Sequence, residues 1–517
     1  MYVITYDVGT TELKSCLFDI EKGTPIRMIA GESVEYGLQI FPDGGAEQDP
    51  MDWWRAMCVT TSKLMIKAGV TSDKIKGISF CAQMQALVLV DEQGEPVRPA
   101  MSYMDARSKK QIEETLQTGL QVAGMNARKL LKSLKITGAV SGSVKDPVWK
   151  YRWVQDNEPE VFAKAYKWLD VKDFLVCRAT GKFTMSQDSA FGTLLYDSRE
   201  GQRGFSEEMC RMMGVDMKHL PEIVASHEVV GGLTERAAIE LGLRSGTPVF
   251  SGGGDASLIG VGAGAVRLGE THVYMGTSGW ISTVIDKQKL NLGAMIASVV
   301  GVNPKVFHTW AELETAGKCL DWFRRNVMAD IGKSPDFYDR MERNMKDLPA
   351  GSNGVMFTPW LHGNRCPFED PYCRGMFIGM GLDTTATEMY KAIVEGVCLH
   401  LRWQMEAMEK LIPASNPIRF AGGCALSPSI CQILADVLGK KIEVVDNPIN
   451  AGSAGAAIVA AIGLGEIDTF EETRDMIGVN STYIPRSENK AVYDDLEQRL
   501  RTLYKTNKKN FRALGRR

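Results

Sequence analysis

The residues whose types and spacing can do chemistry begin at the N-terminus, with Asp7-Val8-Gly9-Thr10-Thr11. A glycine lets the backbone approach a ligand, and two threonine hydroxyls with successive N–H groups can cradle phosphate oxygens. A carboxylate at a strand end can hold Mg²⁺, directly or through water, and Lys14 adds a positive charge. Taken alone, Asp-x-Gly-Thr reads more readily as a polar hairpin tip. Gly276-Thr277-Ser278-Gly279 offers the same donors in the other half of the chain. Two such tips facing each other across a cleft would grip a polyphosphate, and that pairing reverses the balance.

A third block is Ser251-Gly252-Gly253-Gly254-Asp255-Ala256. An Asp directly after three glycines has backbone room around it and can meet a substrate hydroxyl. Phosphoryl transfer asks the protein for positioning, charge neutralisation and a carboxylate that takes the hydroxyl proton. Asp255 serves equally well as the cap of the helix that follows, and the two roles are compatible. In Phe420-Ala421-Gly422-Gly423-Cys424, a strand end and a glycine-rich turn precede a helix. Those glycines either let a flat adenine ring lie against backbone or simply connect strand to helix.

Other nucleotide and metal motifs are missing. There is no GxxxxGK[ST] and no strict GxGxxG, so neither a P-loop nor a standard dinucleotide fold is supported. The six histidines are dispersed and the eleven cysteines show no zinc spacing.

These candidates need elements to hold them. Tyr2 to Tyr6 predicts a strand, DVGTT a turn, and Lys14 to Ile20 a second strand, with a third near Ile26 to Ile29. Asp49 as N-cap and Pro50 at the first helical position predict a helix whose buried face includes Trp54, Met57, Thr61 and Leu64. Strands follow at Ile75 to Cys81 and Ala86 to Val90. Residues 105–245 are richer in helix signals. Thr271 to Ile285 predicts a second hairpin, so each half opens on a hairpin tipped by Gly-Thr. The strand-then-helix order is an α/β pattern. The uncharged stretch Asn447 to Gly465 begins polar and is mostly Ala and Gly, which predicts a closely packed internal helix rather than a membrane span. The segment from Leu496, with eight Lys or Arg, predicts a solvated helix face with a frayed end.

Composition excludes several classes. At 517 residues the chain is too long for one ordinary core. A net charge of −3 gives no long-range field for nucleic acid or anionic membrane. An odd number of cysteines and an opening MYVITYDVGTT with no basic region point to a cytoplasmic protein with reduced thiols.

At these residues the chain resembles the FGGY carbohydrate kinases, closest to their xylulokinase branch. The family's C-terminal fingerprint is met from Gly375 to Glu395. Its other fingerprint is nearly met at PVWKYRWVQDN from Pro147, with Lys150 and Trp153 in place and Lys145 a departure. DVGTTELKS, GGGDASLIGVGAG, MGTSG and PWLHGNRCPFEDPYCRG resemble further family blocks, and the likeness spans residues 1 to about 465. It implies two ribonuclease-H-like (actin-like ATPase) domains around a central cleft, with ATP and Mg²⁺ as cofactors. The domains expected are 1–245 on the sugar and phosphate side, 246–480 on the nucleotide side, and a helical tail at 481–517.

By this resemblance Asp255 is the general base, and Asp7 is the Mg²⁺-side carboxylate, with Asp255 as the second metal residue. Thr10, Thr11, Gly276 and Thr277 bind phosphate, with Lys14 beside them, and Gly422 and Gly423 form the adenine loop. Met84, Gln85 and Tyr103 fall on the sugar side, where the departures concentrate. Gln85 replaces a family His, Ala86 a Gly, Ala256 an amide residue, and Tyr103-Met104 a Trp-Asn pair. Each hydroxyl that loses a partner costs roughly 1–3 kcal/mol, enough to redirect specificity among polyols. The expected activity is ATP-dependent phosphorylation of a ketopentose such as xylulose. The alternatives are another ketose or polyol (ribulose, erythrulose, glycerol-like), or a nucleotide-binding regulatory protein with a degenerate sugar site. The family often forms homodimers.

Overall fold

The computed structural model describes residues 1–122 and 124–515. The chain divides into two compact units. The first comprises Met1–Gly262, Val299–Phe307 and Gly452–Met476, and the second Ala263–Ser298, His308–Ala451 and Ile477–Arg517.

The first unit is built on a seven-stranded sheet. Strands β1 (Tyr2–Val8), β2 (Glu12–Asp19) and β3 (Arg27–Glu35) run antiparallel to one another. β1 also pairs in parallel with β4 (Ile75–Ala82). β5 (Val229–Gly232) and β6 (Pro248–Phe250) extend the sheet beyond β4, giving the order β5-β6-β4-β1-β2-β3. The two-residue strand β7 (Gly253–Gly254) also pairs with β4, in parallel. Because β6 and β7 pair with β4, the glycine block after Gly246 completes the first sheet. The boundary expected at 245/246 therefore lies inside this unit, whose first stretch runs on to Gly262.

Helix α1 (Pro50–Ala68) starts as its sequence requires: the Asp49 side chain accepts the Met51 N–H, and Gly69 closes the other end. Its apolar face, joined by the fully buried Trp53, packs with Tyr6, Val8 and Phe80 of the sheet in one core. Helices α2 (Pro147–Asn157), α3 (Val171–Thr180), α4 (Gln187–Gly192) and α5 (Asp255–Gly262) carry residues of the site.

The second unit repeats the plan. β8 (Thr271–Met275) and β9 (Gly279–Ile285) form the predicted hairpin. With β10 (Ala297–Val300), β11 (Phe307–Leu313), β12 (Ile418–Ala421), β13 (Ile442–Val445) and β14 (Val479–Tyr483) the sheet order is β10-β11-β9-β8-β12-β13-β14. As in the first sheet, an antiparallel hairpin is followed by strands added in parallel on the side of its first strand. Helices α6 (Gly317–Trp322), α7 (Ala386–Met408) and α8 (Pro428–Leu438) belong to this unit.

Helix α9 (Ala451–Gly463) is the Ala/Gly segment, and Ala456 to Ala461 have no exposed surface. The terminal helix α10 (Lys490–Leu514) buries Tyr493, Leu500, Tyr504 and Phe511 in the second unit's core, so the basic tail is a solvated face on a docked helix. The frayed end expected there falls on 516–517, outside the described residues. Among the described residues no helix is long and apolar enough to cross a membrane.

Candidate active site

In open α/β sheets ligands collect beyond the carboxyl ends of the parallel strands. The predicted residues of the first unit gather there because of strand register. Asp7 on β1 stands beside Cys81 on β4, and Cys81 stands beside Gly253 on β7. One residue on, Val8, Ala82 and Gly254 are aligned, and Asp255 follows directly. The strands that carry Asp7 and lead into Asp255 thus lie on either side of β4, about 10 Å apart at ordinary strand spacing. The sequence reading placed Asp7 in the turn. The structure places it inside β1, paired with Lys14 across the hairpin, because β2 and β4 both extend the ladder to Val8.

The electrostatics are those of several acids in one place. Burial pushes the Asp7 carboxyl above its usual range, while Lys14 and a hydrogen bond with Cys81 pull it back. Burial holds the Cys81 thiol well above its ordinary value, and the charges of Asp7, Asp255 and Asp188 add to that. Asp188, on α4, is buried and accepts the Gly254 N–H at 2.7 Å, fixing the backbone just ahead of Asp255. Asp255 is half-buried, stands at the first residue of α5 and accepts the Ala256 N–H at 2.7 Å. A Cβ at Gly254 would lie 2.1 Å from the Met84 sulfur. Met84 is thereby packed against the residue before Asp255.

The first hairpin tip is braced from several directions. Gln48 donates to the Thr10 carbonyl at 2.8 Å, the Tyr36 hydroxyl donates to the Gly9 carbonyl, and Gln83 donates to Gln48 at 2.9 Å. The Thr10 hydroxyl lies 3.3 Å from the Tyr103 hydroxyl, so a phosphate candidate and a sugar candidate meet. Thr11 is exposed at the tip, and the Lys14 ammonium lies 3.9 Å from Glu12.

The next loop, Gln83 to Ala86, is held by two residues the sequence reading did not assign to the site. The Asp170 carboxylate accepts the N–H groups of Gln85 and Ala86 at 2.9 and 3.0 Å. The Lys150 ammonium donates to the Gln85 carbonyl at 2.7 Å. Burial raises Asp170 to about 7 and lowers Lys150 to about 7. Lys150 entered the sequence reading only as a fingerprint match, and Asp170 did not enter it, although an aspartate just before an apolar helical run is an N-cap signal. Asp188 gave no signal at all.

In the second unit the tip Gly276–Ser278 lies beside the turn at Gly422, because β8 and β12 pair in parallel with Tyr274 opposite Ala421. The carbonyls of Gly276 and Thr277 are turned inward and accept N–H groups of residues 316–318. Thr277 and Gly423 are exposed. Gly422 has φ +99°, and a Cβ there would come within 2.5 Å of the Met275 carbonyl oxygen. Only glycine fits between that strand end and the turn. Helix α8 starts just beyond, with the Ser427 hydroxyl accepting the Ile430 N–H and Glu342 binding Ser429. The predicted phosphate tip and adenine loop therefore share one edge of the second sheet.

Comparison with known proteins agrees with this geometry. Residues 2–262 match the N-terminal domain of the FGGY family of carbohydrate kinases, and residues 272–464 its C-terminal domain. The chain is 30% identical to a xylulose kinase of Lactococcus lactis subsp. lactis, over 98% of this chain and 96% of that protein. It is 26% identical to a gluconokinase of Bacillus subtilis, over 96% and 94%. The solved structure of ligand-bound xylulose kinase from Lactobacillus acidophilus superposes with a TM-score of 0.86 at 24% identity, covering 99% of both chains. The chain belongs to the FGGY family of carbohydrate kinases: it has that family's two-domain, actin-like fold and is a carbohydrate kinase of the xylulose-kinase-like kind.

Proposed function

We propose that this kinase transfers the γ-phosphoryl group of ATP to a hydroxyl of a ketopentose such as xylulose. The observation that carries the reading is Asp255, half-buried beyond β7, with Met84 packed on the preceding glycine. In the reaction the sugar O–H bond breaks and its proton passes to the Asp255 carboxylate. The sugar oxygen bonds to the γ-phosphorus as the bond to ADP breaks. The first unit supplies this base and the sugar side, Met84, Gln85 and Tyr103. The tips at Thr10–Thr11 and Gly276–Thr277 hold phosphates, with Lys14 near the first, and Gly422–Gly423 hold the adenine.

Asp7 and Asp255, with the threonine hydroxyls, form an all-oxygen donor set. That suits Mg²⁺, which keeps several waters and needs only one or two carboxylates. Among the described residues no trio of His, Cys or carboxylates makes a tighter metal cage. Bound there, the ion would neutralise charge on the transferring phosphoryl oxygens. A cytoplasmic setting fits the unpaired thiols.

The similarity to gluconokinase favours a sugar acid as the second reading. A panel of pentuloses, hexuloses, tetruloses, polyols and gluconate with Mg-ATP separates the two. Fastest turnover of xylulose supports the first and of gluconate the second. ATP binding without turnover of any would replace both with a regulatory nucleotide-binding role.

A further inference from the structure

Gln85 is one of the few non-glycine residues with a positive φ, at +65°. That conformation costs a side-chain-bearing residue about 1–2 kcal/mol, and it persists only where the surroundings over-determine it. A glycine would adopt it at little cost. Here the sequence keeps a side chain and surrounds its peptide groups with two buried ionisable side chains. Lys150 has no exposed surface and Asp170 is 4% exposed. Burying such charges is expensive unless geometry and hydrogen bonds offset the lost solvation. Both peptide groups of Gln85 are taken, the N–H by Asp170 and the C=O by Lys150. Asp170 also accepts the N–H groups of Ala86 and of Val171, which joins the loop to the start of α3.

We infer that Lys150 and Asp170 are positioning residues, which clamp Gln85 in its left-handed conformation and so set the Met84–Gln85 pair beside Asp255. The Gln85 amide lies 3.4 Å from the Gly192 carbonyl, so the clamp fixes the whole sugar-side loop and not one contact. This rests on the kinase reading above for its functional half only, because the clamp itself is a property of the fold.

The test uses the full chain with Lys150→Met and, separately, Asp170→Asn, which places an amide against backbone N–H donors. The first readout is hydrogen exchange at residues 83–87, which is expected to quicken about tenfold in each variant while the rest of the first unit is unchanged. The second is steady-state kinetics with D-xylulose and Mg-ATP. The KM for the sugar is expected to rise about tenfold or more, and the KM for ATP to stay within about twofold. In a Gln85→Ala background, Lys150→Met should add less than about threefold to the sugar KM, since residues acting through one another are not additive.

Unchanged exchange at 83–87, an equal loss for sugar and ATP, full additivity with Gln85→Ala, or failure of both variants to fold would each overturn the inference. If the wild type phosphorylates no sugar, the kinase reading fails by itself, and exchange alone decides the clamp.

Discussion

The two units share a sheet order and open on the same kind of hairpin, yet their strand ends carry different equipment. At the first sheet the carboxyl ends bear Asp7, Cys81 and Asp255, with Asp188, Asp170 and Lys150 behind them. At the second the corresponding edge carries glycine, a threonine and inward-turned carbonyls. In the proposed reaction the same plan would serve two chemistries. Proton removal needs a carboxylate with a controlled environment, whereas holding phosphates and a flat base needs backbone and room.

Burial shifts titrating groups in both units, acids upward and histidines downward. In the second unit burial alone lowers His308 to about 4, and burial likewise lowers His272 to about 3 and His400 to about 4. In the first, burial raises Asp7, Asp173 and Asp170, the last to about 7. Glu395 and Glu497 of the second unit are likewise raised by burial, and His219 and His227 of the first are lowered by it.

The comparison breaks most sharply at Asp255. Asp255→Ala should lower sugar phosphorylation by a factor of about 10²–10⁴ while ATP binding, followed by calorimetry, survives. Near wild-type turnover would show that the acids of the first sheet are not the chemical half. Gly422→Ala is the matching test on the second sheet. A Cβ forced against the Met275 carbonyl should cost about 2 kcal/mol of stability and weaken ATP binding about tenfold or more, leaving the sugar KM little changed. A loss confined to the sugar would reverse the assignment of the two edges.

The pH dependence sharpens the contrast with a sign. A histidine whose folded pKa lies below its unfolded value near 6.5 binds fewer protons folded than unfolded. Its contribution is present above pH 6.5 and is lost as the pH falls toward 4. His308→Gln should therefore shrink the drop in Tm between pH 7 and pH 4.5 by about 3 °C. Asp170 has the opposite sign: raised to about 7, its contribution is present below about pH 4 and is lost as the pH rises through 7. Thermal melts of the two variants across pH 4–7 should diverge in slope, and parallel slopes would remove the distinction. The smallest effect is expected from Tyr103→Phe, which loses the 3.3 Å link to Thr10. A change in sugar KM of about threefold or less is expected, and a larger one would make Tyr103 a principal sugar contact.

Much of this was legible in local sequence. Asp49 and Pro50 start α1 where a capping carboxylate and a prolyl ring must, and the alternation around Gly9 and around Gly276 predicts both hairpins. The Ala/Gly run before Leu464 predicts a helix with no exposed face over Ala456 to Ala461. Asp255 stands out in the sequence as a candidate because three glycines in a row precede it.

What the sequence determined by itself was the two glycine-threonine hairpins, the capped start of α1 and the strand from Ile75, because turn chemistry and side-chain period act over a few residues. Only the tertiary structure decided where the first unit ends, because the short strands at Pro248–Phe250 and Gly253–Gly254 reveal their place only by pairing with β4, far back in the chain. It alone also decided the clamp on Gln85, whose partners lie 65 and 85 residues away. A buried lysine on a helix and an aspartate at a helix start look ordinary in sequence. Their work is set by burial and by which backbone the fold brings to them, and neither leaves a local pattern.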